Sequence, residues 1–210
     1  MLSSLDDRTL GALAAAAQEV VASPGQVIVA EGSVCPPVFS VVRGSVRLFR
    51  TNVDGRDLTL ARCAPGSLLF LAAAFGSDTS AHATSQAVEP TRLVKIPQRE
   101  FRRITSGSPD LTSAVLRELS DGQRRAMGLA SDLGLVTVRG RLARFLLESS
   151  RCDGPPPSRW THEEIAASIG SVREVVSRTL MAFVRDGLID RHRHRIEVLD
   201  PEALEALIDS

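Results

Sequence analysis

Along the chain, the spacing of apolar positions changes three times. The first stretch places Ser4, Asp6 and Asp7 ahead of an alanine-rich run. Serine caps helices well and aspartates suit the positive first turn, so a short helix is expected over residues 4–21, capped by Ser4. From Pro24 the runs become β-branched: "GQVIVAEG", "VFSVVRGSVRLFRT" and "DLTLARCAPG", broken by Gly25, Gly32, Gly44, Gly55 and Gly66. Glycines seven to twelve residues apart give the rhythm of an all-β sandwich or barrel. Asp54-Gly55 is a hairpin-turn dipeptide, and "VEPTRLVKIP" at 88–97 reads as a closing strand. A small antiparallel β-barrel is expected over residues 20–98.

After Pro109 the period is helical. Val115, Leu119, Gly122, Ala126, Leu129, Leu133 and Val136 alternate four and three residues apart, which is a heptad seam. A small residue such as Gly122 on a seam permits close approach of a second helix. Such a stripe can also pack only on the chain's own barrel. Self-association through Leu119, Gly122, Ala126, Leu129 and Leu133 is preferred, because the stripe runs about three heptads. "RGRLARFLLESS" is a further amphipathic helix, and "RCDGPPPSRW" a Pro-Gly loop.

The C-terminal third carries the densest signal. "THEEIAASIG" opens with Thr161 and Glu164, a capping box. Ile165, Ala166, Ile169, Gly170 and Val176 have the spacing of a helix-turn-helix, with Gly170 at the turn. Ser171 and Glu174 read as a second capping box that starts the next helix. Arg173, Glu174, Ser177 and Arg178 then lie in the N-terminal half of that helix, the part that enters a major groove in such motifs. Arginine can bond guanine, glutamate can accept from the cytosine amino group, and serine is adaptable. A solvated face with a Glu174–Arg178 pair is the plainer alternative. The following "DGLIDRHRHRIEVLD" tips the balance to DNA: it reads as a β-wing that carries Arg191, Arg193 and Arg195 to phosphates. His162, His192 and His194 fall at the same end, as surface or phosphate-proximal groups.

Composition changes this picture little. The 210 residues are 43% hydrophobic and 24% charged, which is ordinary for a globular chain. The formal net charge is zero, so any attraction to DNA must be local. Cys35, Cys63 and Cys152 are odd in number and lack CxxC spacing, so neither a disulfide framework nor a cysteine metal cluster is expected. No metal ligands are assigned. No apolar run is long enough for a membrane span, and the N-terminus is acidic where a signal peptide is basic. A cytoplasmic bacterial protein is expected. No constellation of catalytic residues stands out, and an enzyme is not expected.

Taken in order, "SPGQVIVAEG", "VFSVVRGSVRLFR", "CAPGSLL", "VRGRLARFLL" and "REVVSR" resemble the Crp/Fnr family of bacterial transcription regulators over nearly the whole chain. The resemblance implies an α+β chain. An N-terminal β-barrel of the cyclic-nucleotide-binding jelly-roll type would span 1–110, a dimerisation helix 111–137 and a winged helix-turn-helix 138–210. It implies a homodimer on double-stranded DNA with an inverted TGA…TCA repeat, and RNA polymerase as a further partner. Glu174 and Arg178 match the family's base-contacting positions. Arg173 looks like the cyclic-AMP-receptor branch and Ser177 like the oxygen-sensing branch.

The sensor half departs from the family pattern. Cyclic-nucleotide-binding relatives carry Gly-Glu and then Arg-Ser or Arg-Thr, where this chain looks to have Phe70-Leu71 and Ala81-His82. Their adenine-facing Thr-Ser pair is replaced by Ala126-Met127. Cyclic AMP and an iron–sulfur cluster are therefore not expected. An apolar effector, or none, is expected, with a pocket bordered by Phe70, Leu71, His82, Thr84, Ala126 and Met127. Haem held by His82 and Met127, for a gas signal, is a further candidate, to which a lone histidine and a core methionine is preferred; the alternative function is a cyclic-nucleotide-dependent regulator with an atypical pocket.

Overall fold

The structure, a computed structural model, describes residues 5–151, 160–192 and 195–208. The chain divides into two compact units, Met1–Arg50 with Leu60–Ala126, and Thr51–Thr59 with Met127–Ser210.

The first unit begins with α1 (Asp7–Ala16), shorter than the expected 4–21. Its cap is Asp6, whose carboxylate accepts from the Thr9 N–H at 2.6 Å; Ser4 lies outside the described residues. The helix stops because Gln18–Ala22 pairs as strand β1 with the distant β8 (Thr91–Ile96), a match that local spacing does not reveal. Between them run β2 (Val27–Val29), β3 (Val38–Arg43), β4 (Val46–Thr51), β5 (Asp57–Cys63), β6 (Leu68–Leu69), α2 (Leu71–Phe75) and β7 (Thr84–Ala87). The strands form two four-stranded sheets, ordered β1-β8-β3-β6 and β2-β7-β4-β5. The expected barrel is thus a jelly-roll sandwich and not a closed cylinder. Val29, Phe39, Val41, Val46, Cys63, Leu69, Ala81 and Leu93 fill the space between the sheets. Gly44 turns β3 into β4 with φ 86°, and a Cβ there would sit 2.6 Å from the Pro90 carbonyl oxygen, so glycine is required twice over.

Helices α3 (Gln98–Ser106) and α4 (Pro109–Leu135) follow. A second core of Leu13, Leu71, Ala74, Phe101, Ile104, Leu111 and Val115 joins α1, α2, α3 and the first turns of α4. Val115 is therefore consumed by its own chain, and Val136 lies past the end of α4. The seam that remains starts at Leu119.

The second unit holds α5 (Val138–Arg151), α6 (His162–Ile169), α7 (Arg173–Arg185), β9 (Ile189–His192), β10 (Arg195–Val198) and α8 (Pro201–Ala206). Leu142, Leu146, Ile165, Ile169, Val176, Leu180, Phe183, Ile189 and Leu204 form its core. β9 and β10 pair antiparallel as a wing.

Candidate nucleic-acid interface and sensor region

The turn between α6 and α7 is built as its residues dictate. Thr161 and Glu164 form the expected capping box: the Glu164 N–H donates to Thr161 Oγ1 at 3.1 Å, and the Thr161 N–H donates to Glu164 Oε2 at 2.7 Å. Gly170 sits in the left-handed region at φ 62°, where a Cβ would also overlap the Leu133 side chain. The second expected capping box is absent. The Ser171 N–H bonds the Ala166 carbonyl at 2.9 Å, so Ser171 finishes α6 and does not start α7. Val172 is the N-cap of α7, with no side-chain cap, and Glu174 falls at the second helical position, too early to close a box.

α7 buries Val176, Leu180 and Phe183 and turns its other side outward. Arg173, Glu174 and Arg178 are exposed and Ser177 half-buried, all in the first two turns. The structure thus brings these four predicted residues to one helix end. Arg173 reaches toward Glu163 of α6 at 3.9 Å. Arg191 on β9 places Nη2 3.2 Å from His162 Nε2. Burial first, then Arg191 and Arg173, hold the His162 pKa below its ordinary value. Arg195 lies on the backbone of β10, while Arg193 and His194 fall outside the described residues. At the other end of α7, Arg139 donates to Asp186 at 2.9 Å and lies 5.1 Å from the Phe183 ring centre. Hydrogen bonds from Arg139 and Arg185 hold the Asp186 carboxyl below its usual range.

The sensor candidates do not converge. Phe70 adopts φ 67°, unusual for an aromatic residue, and its ring meets Phe39 edge-on at 6.2 Å beside the inter-sheet core. Leu71, one residue on, is buried in the other core. Ala81 is buried between the sheets. Its neighbour His82 has 56% of its side chain exposed and lies 3.8 Å from Asp78. The hydroxyl of Thr84 accepts from the Glu31 N–H at 3.1 Å. Ala126 is exposed and Met127 is 66% exposed. His82 and Met127 are thus each surface groups. Spacing missed a different group. Cys63 is buried between the sheets, its thiol pushed up to about 11 by burial, with Arg125 and Glu118 of α4 near enough to act on it. Arg125 and Glu118 pair at 3.0 Å across two turns of α4, an i,i+7 spacing visible in the sequence. Among the described residues no group of three or more His, Cys, Asp or Glu side chains could hold a metal ion.

Beyond Val115 the α4 stripe is open from Gly122 on, while Leu119 still packs against the second core. Leu119, Gly122 and Leu129 are half-buried, Ala126 is exposed and Leu133 is 37% exposed.

Residues 19–108 match the cyclic nucleotide-binding domain model, and residues 140–207 match the Crp-like helix-turn-helix domain model. The chain is 30% identical to transcriptional regulator SdrP of Thermus thermophilus over 178 residues, 82% of this chain and 84% of that one. The chain belongs to the Crp/Fnr family. It is 31% identical to the cyclic AMP receptor protein of the same organism over 188 residues, 87% of this chain and 84% of that one. A crystal structure of a Crp/Fnr transcriptional regulator from Eubacterium rectale superposes with a TM-score of 0.82 at 26% identity, covering 98% of this chain and 96% of that one. This Crp/Fnr member is a DNA-binding transcription regulator. Its relatives are regulators and not enzymes. No helix among its described residues is long and apolar enough to cross a membrane.

Proposed function

We propose that the chain acts in the cytoplasm as a homodimer that reads an inverted TGA…TCA repeat for RNA polymerase, and that its signal is something other than cyclic AMP. One observation carries the reading: Arg173, Glu174, Ser177 and Arg178 occupy the free side of α7 while Val176, Leu180 and Phe183 bury the other. Arg178 takes the guanine of the TGA step and Glu174 the cytosine paired with it or beside it. Arg173 and Ser177 read the flanking pair. Arg191, with Arg193 and Arg195 of the wing, holds phosphates. Residues 1–110 serve as the sensor, 111–137 as the dimerisation helix and 138–210 as the reading domain.

The dimer follows from the stripe at Leu119, Gly122, Ala126, Leu129 and Leu133, a self-complementary surface about a two-fold axis. Two-fold symmetry sets the half-sites about 34 Å apart on one face of the DNA. The signal follows from burial. Leu71 and Ala81 stand where the family's nucleotide-binding members carry a carboxylate and an arginine, and both are packed in apolar cores. A cyclic phosphate entering there would lose its hydration with no charged partner in exchange. The signal on this reading is an apolar effector, a haem-borne gas, or none. The match of residues 19–108 to the cyclic nucleotide-binding domain favours the opposite reading, an atypical nucleotide pocket.

Fluorescence anisotropy on a labelled TGA…TCA duplex, with scrambled competitor, separates the two. Wild type should prefer the repeat equally with and without millimolar cyclic AMP. Arg178→Ala should lose about 1–3 kcal/mol of discrimination per half-site. Enhancement of binding by cyclic AMP would support the nucleotide reading. Unchanged sequence preference in Arg178→Ala would displace α7 from the reading role.

A further inference from the structure

His162 is the first residue of α6, and its Nε2 lies 3.2 Å from Nη2 of Arg191 on β9. A guanidinium only donates hydrogen bonds and keeps its proton at any ordinary pH. In this contact Nε2 must therefore accept, which leaves the ring neutral with its proton on Nδ1. The charges around it come from three elements. α7 contributes Arg173, and β9 contributes Arg191 with Asp190 beside it in sequence. α6 contributes Glu163 and Glu164. Glu163 is drawn to Arg173 at 3.9 Å, and Glu164 is engaged by Thr161 at 2.7 and 2.9 Å. Two arginines, each fixed in charge, thus face an imidazole whose nearest carboxylates are committed elsewhere.

We infer that His162 and Arg191 together form a site for a DNA phosphodiester, and that His162 takes up one proton from solvent when the phosphate arrives. The inference rests on the reading of α7 as the DNA-facing helix, because Arg173 at the start of α7 acts on the same ring. A phosphate between the ring and Arg191 replaces their single hydrogen bond with two charge-assisted ones, once the ring has taken up its proton. The balance is simple: a neutral imidazole, one solvent proton and a phosphodiester give an imidazolium–phosphate pair, with no covalent bond made or broken. The first-turn N–H groups of α6 add to the attraction for an anion. In the free protein burial, Arg191 and Arg173 keep the ring's pKa low. In the complex the phosphate raises it. The sign follows: affinity grows as pH falls through the bound-state pKa and levels off below the free-state one.

The experiment is anisotropy on the full chain with the inverted-repeat duplex, from pH 5.5 to 8.5 at fixed ionic strength, for wild type, His162→Gln and His162→Arg. One proton taken up per reading domain makes wild-type affinity rise by up to about tenfold per pH unit for each domain, about a hundredfold for the dimer, relative to His162→Gln. His162→Arg carries its charge throughout, so it should bind at pH 8 more tightly than His162→Gln, with a parallel pH profile. The wild-type salt slope should also steepen by about 0.9 per reading domain between pH 8 and pH 6. His192 and His194 are present in all three proteins, so the difference between profiles isolates position 162. Identical pH profiles for wild type and His162→Gln, with specific binding retained, overturn the inference and leave the reading helix standing. If wild type shows no preference for the repeat at any pH, both readings fall. Should His162→Gln not fold, the comparison of wild type with His162→Arg decides alone: equal pH slopes refute proton uptake.

Discussion

Replacing Leu129 by arginine probes the proposed dimer seam. α4 advances 100° per residue, so Leu119, Gly122, Ala126, Leu129 and Leu133 fall within an arc of roughly 80°. Leu129 is half-buried by its own chain, so a partner helix can cover only the third or less of its surface that is still open. A leucine taken fully from water to a core gains about 1.5–3 kcal/mol, which puts the gain here at no more than about 1 kcal/mol per copy and about 2 kcal/mol per dimer. Arginine forfeits that gain. It also brings two like charges together across the axis, which costs several kcal/mol when they are poorly solvated. The sum, on the order of 3–6 kcal/mol, weakens dimerisation by about 10²- to 10⁴-fold. Sedimentation equilibrium over a concentration series reads this directly. Leu135→Arg is the control: Leu135 is 83% exposed and lies roughly 160° around α4 from Leu119. If Leu129→Arg dissociates no more readily than Leu135→Arg, the seam assignment is wrong. The exposed face carrying Leu116 and Met127 then becomes the alternative.

Two further outcomes test the packing described above. Asp186 is held low by Arg139 and Arg185, so its contribution to stability is present above the ordinary carboxylate pKa and is lost as pH falls through the lower folded value. Asp186→Asn should lower the melting temperature at neutral pH and flatten the acid limb below about pH 4; an unchanged pH profile would show the pair to be inert. At pH 8 a thiol reagent, read by peptide mass mapping, should label exposed Cys35 quickly, and buried Cys63, with its thiol near 11, only on unfolding. Rapid labelling of Cys63 in the native protein would contradict the inter-sheet core.

Local chemistry made some of this fold legible and left other parts hidden. The capping box at Thr161 and the glycine turn at Gly170 depend on residues within a few positions of one another, and both stand as expected. The end of α1 depends on β1 pairing with β8 some seventy residues away, so an alanine-rich run was read too far. Pairing of distant strands also decides whether a glycine-punctuated set closes or stays a sandwich. The capping error at Ser171 has a different cause. Ser171 has the right chemistry for an N-cap, but the left-handed Gly170 commits its N–H to the Ala166 carbonyl, and the helix starts one residue later. In α7, the proposed site and the periodicity coincide, because the same 3.6-residue repeat that buries Val176 and Leu180 exposes Arg173, Glu174 and Arg178. In the sensor region they do not. Phe70 and Leu71 enter different cores because Phe70 takes a left-handed conformation that no spacing rule foretells.

The same contrast bears on how α4 can act on the DNA-reading end. Its first turns are committed through Leu111, Ala114 and Val115, and its middle is the open stripe. Its last turn is committed again. Arg141 of α5 donates from Nη1 to the carbonyls of Asp132, Leu133 and Val136, each at 3.2 Å, and from Nη2 to the Gly170 carbonyl at 3.4 Å. Arg144 pairs with the Asp132 carboxylate. One guanidinium therefore gathers carbonyls at the end of α4 and the carbonyl at the helix-turn-helix corner. The Asp132 carbonyl also accepts from the Val136 N–H at 3.1 Å, but a displacement that strips the carbonyls of Arg141 still costs the end of α4 hydrogen bonds. The less costly motion moves the end of α4 and the Gly170 turn together. A displacement of the end of α4 therefore carries with it the Gly170 turn and the start of α7, where Arg173 and Glu174 stand.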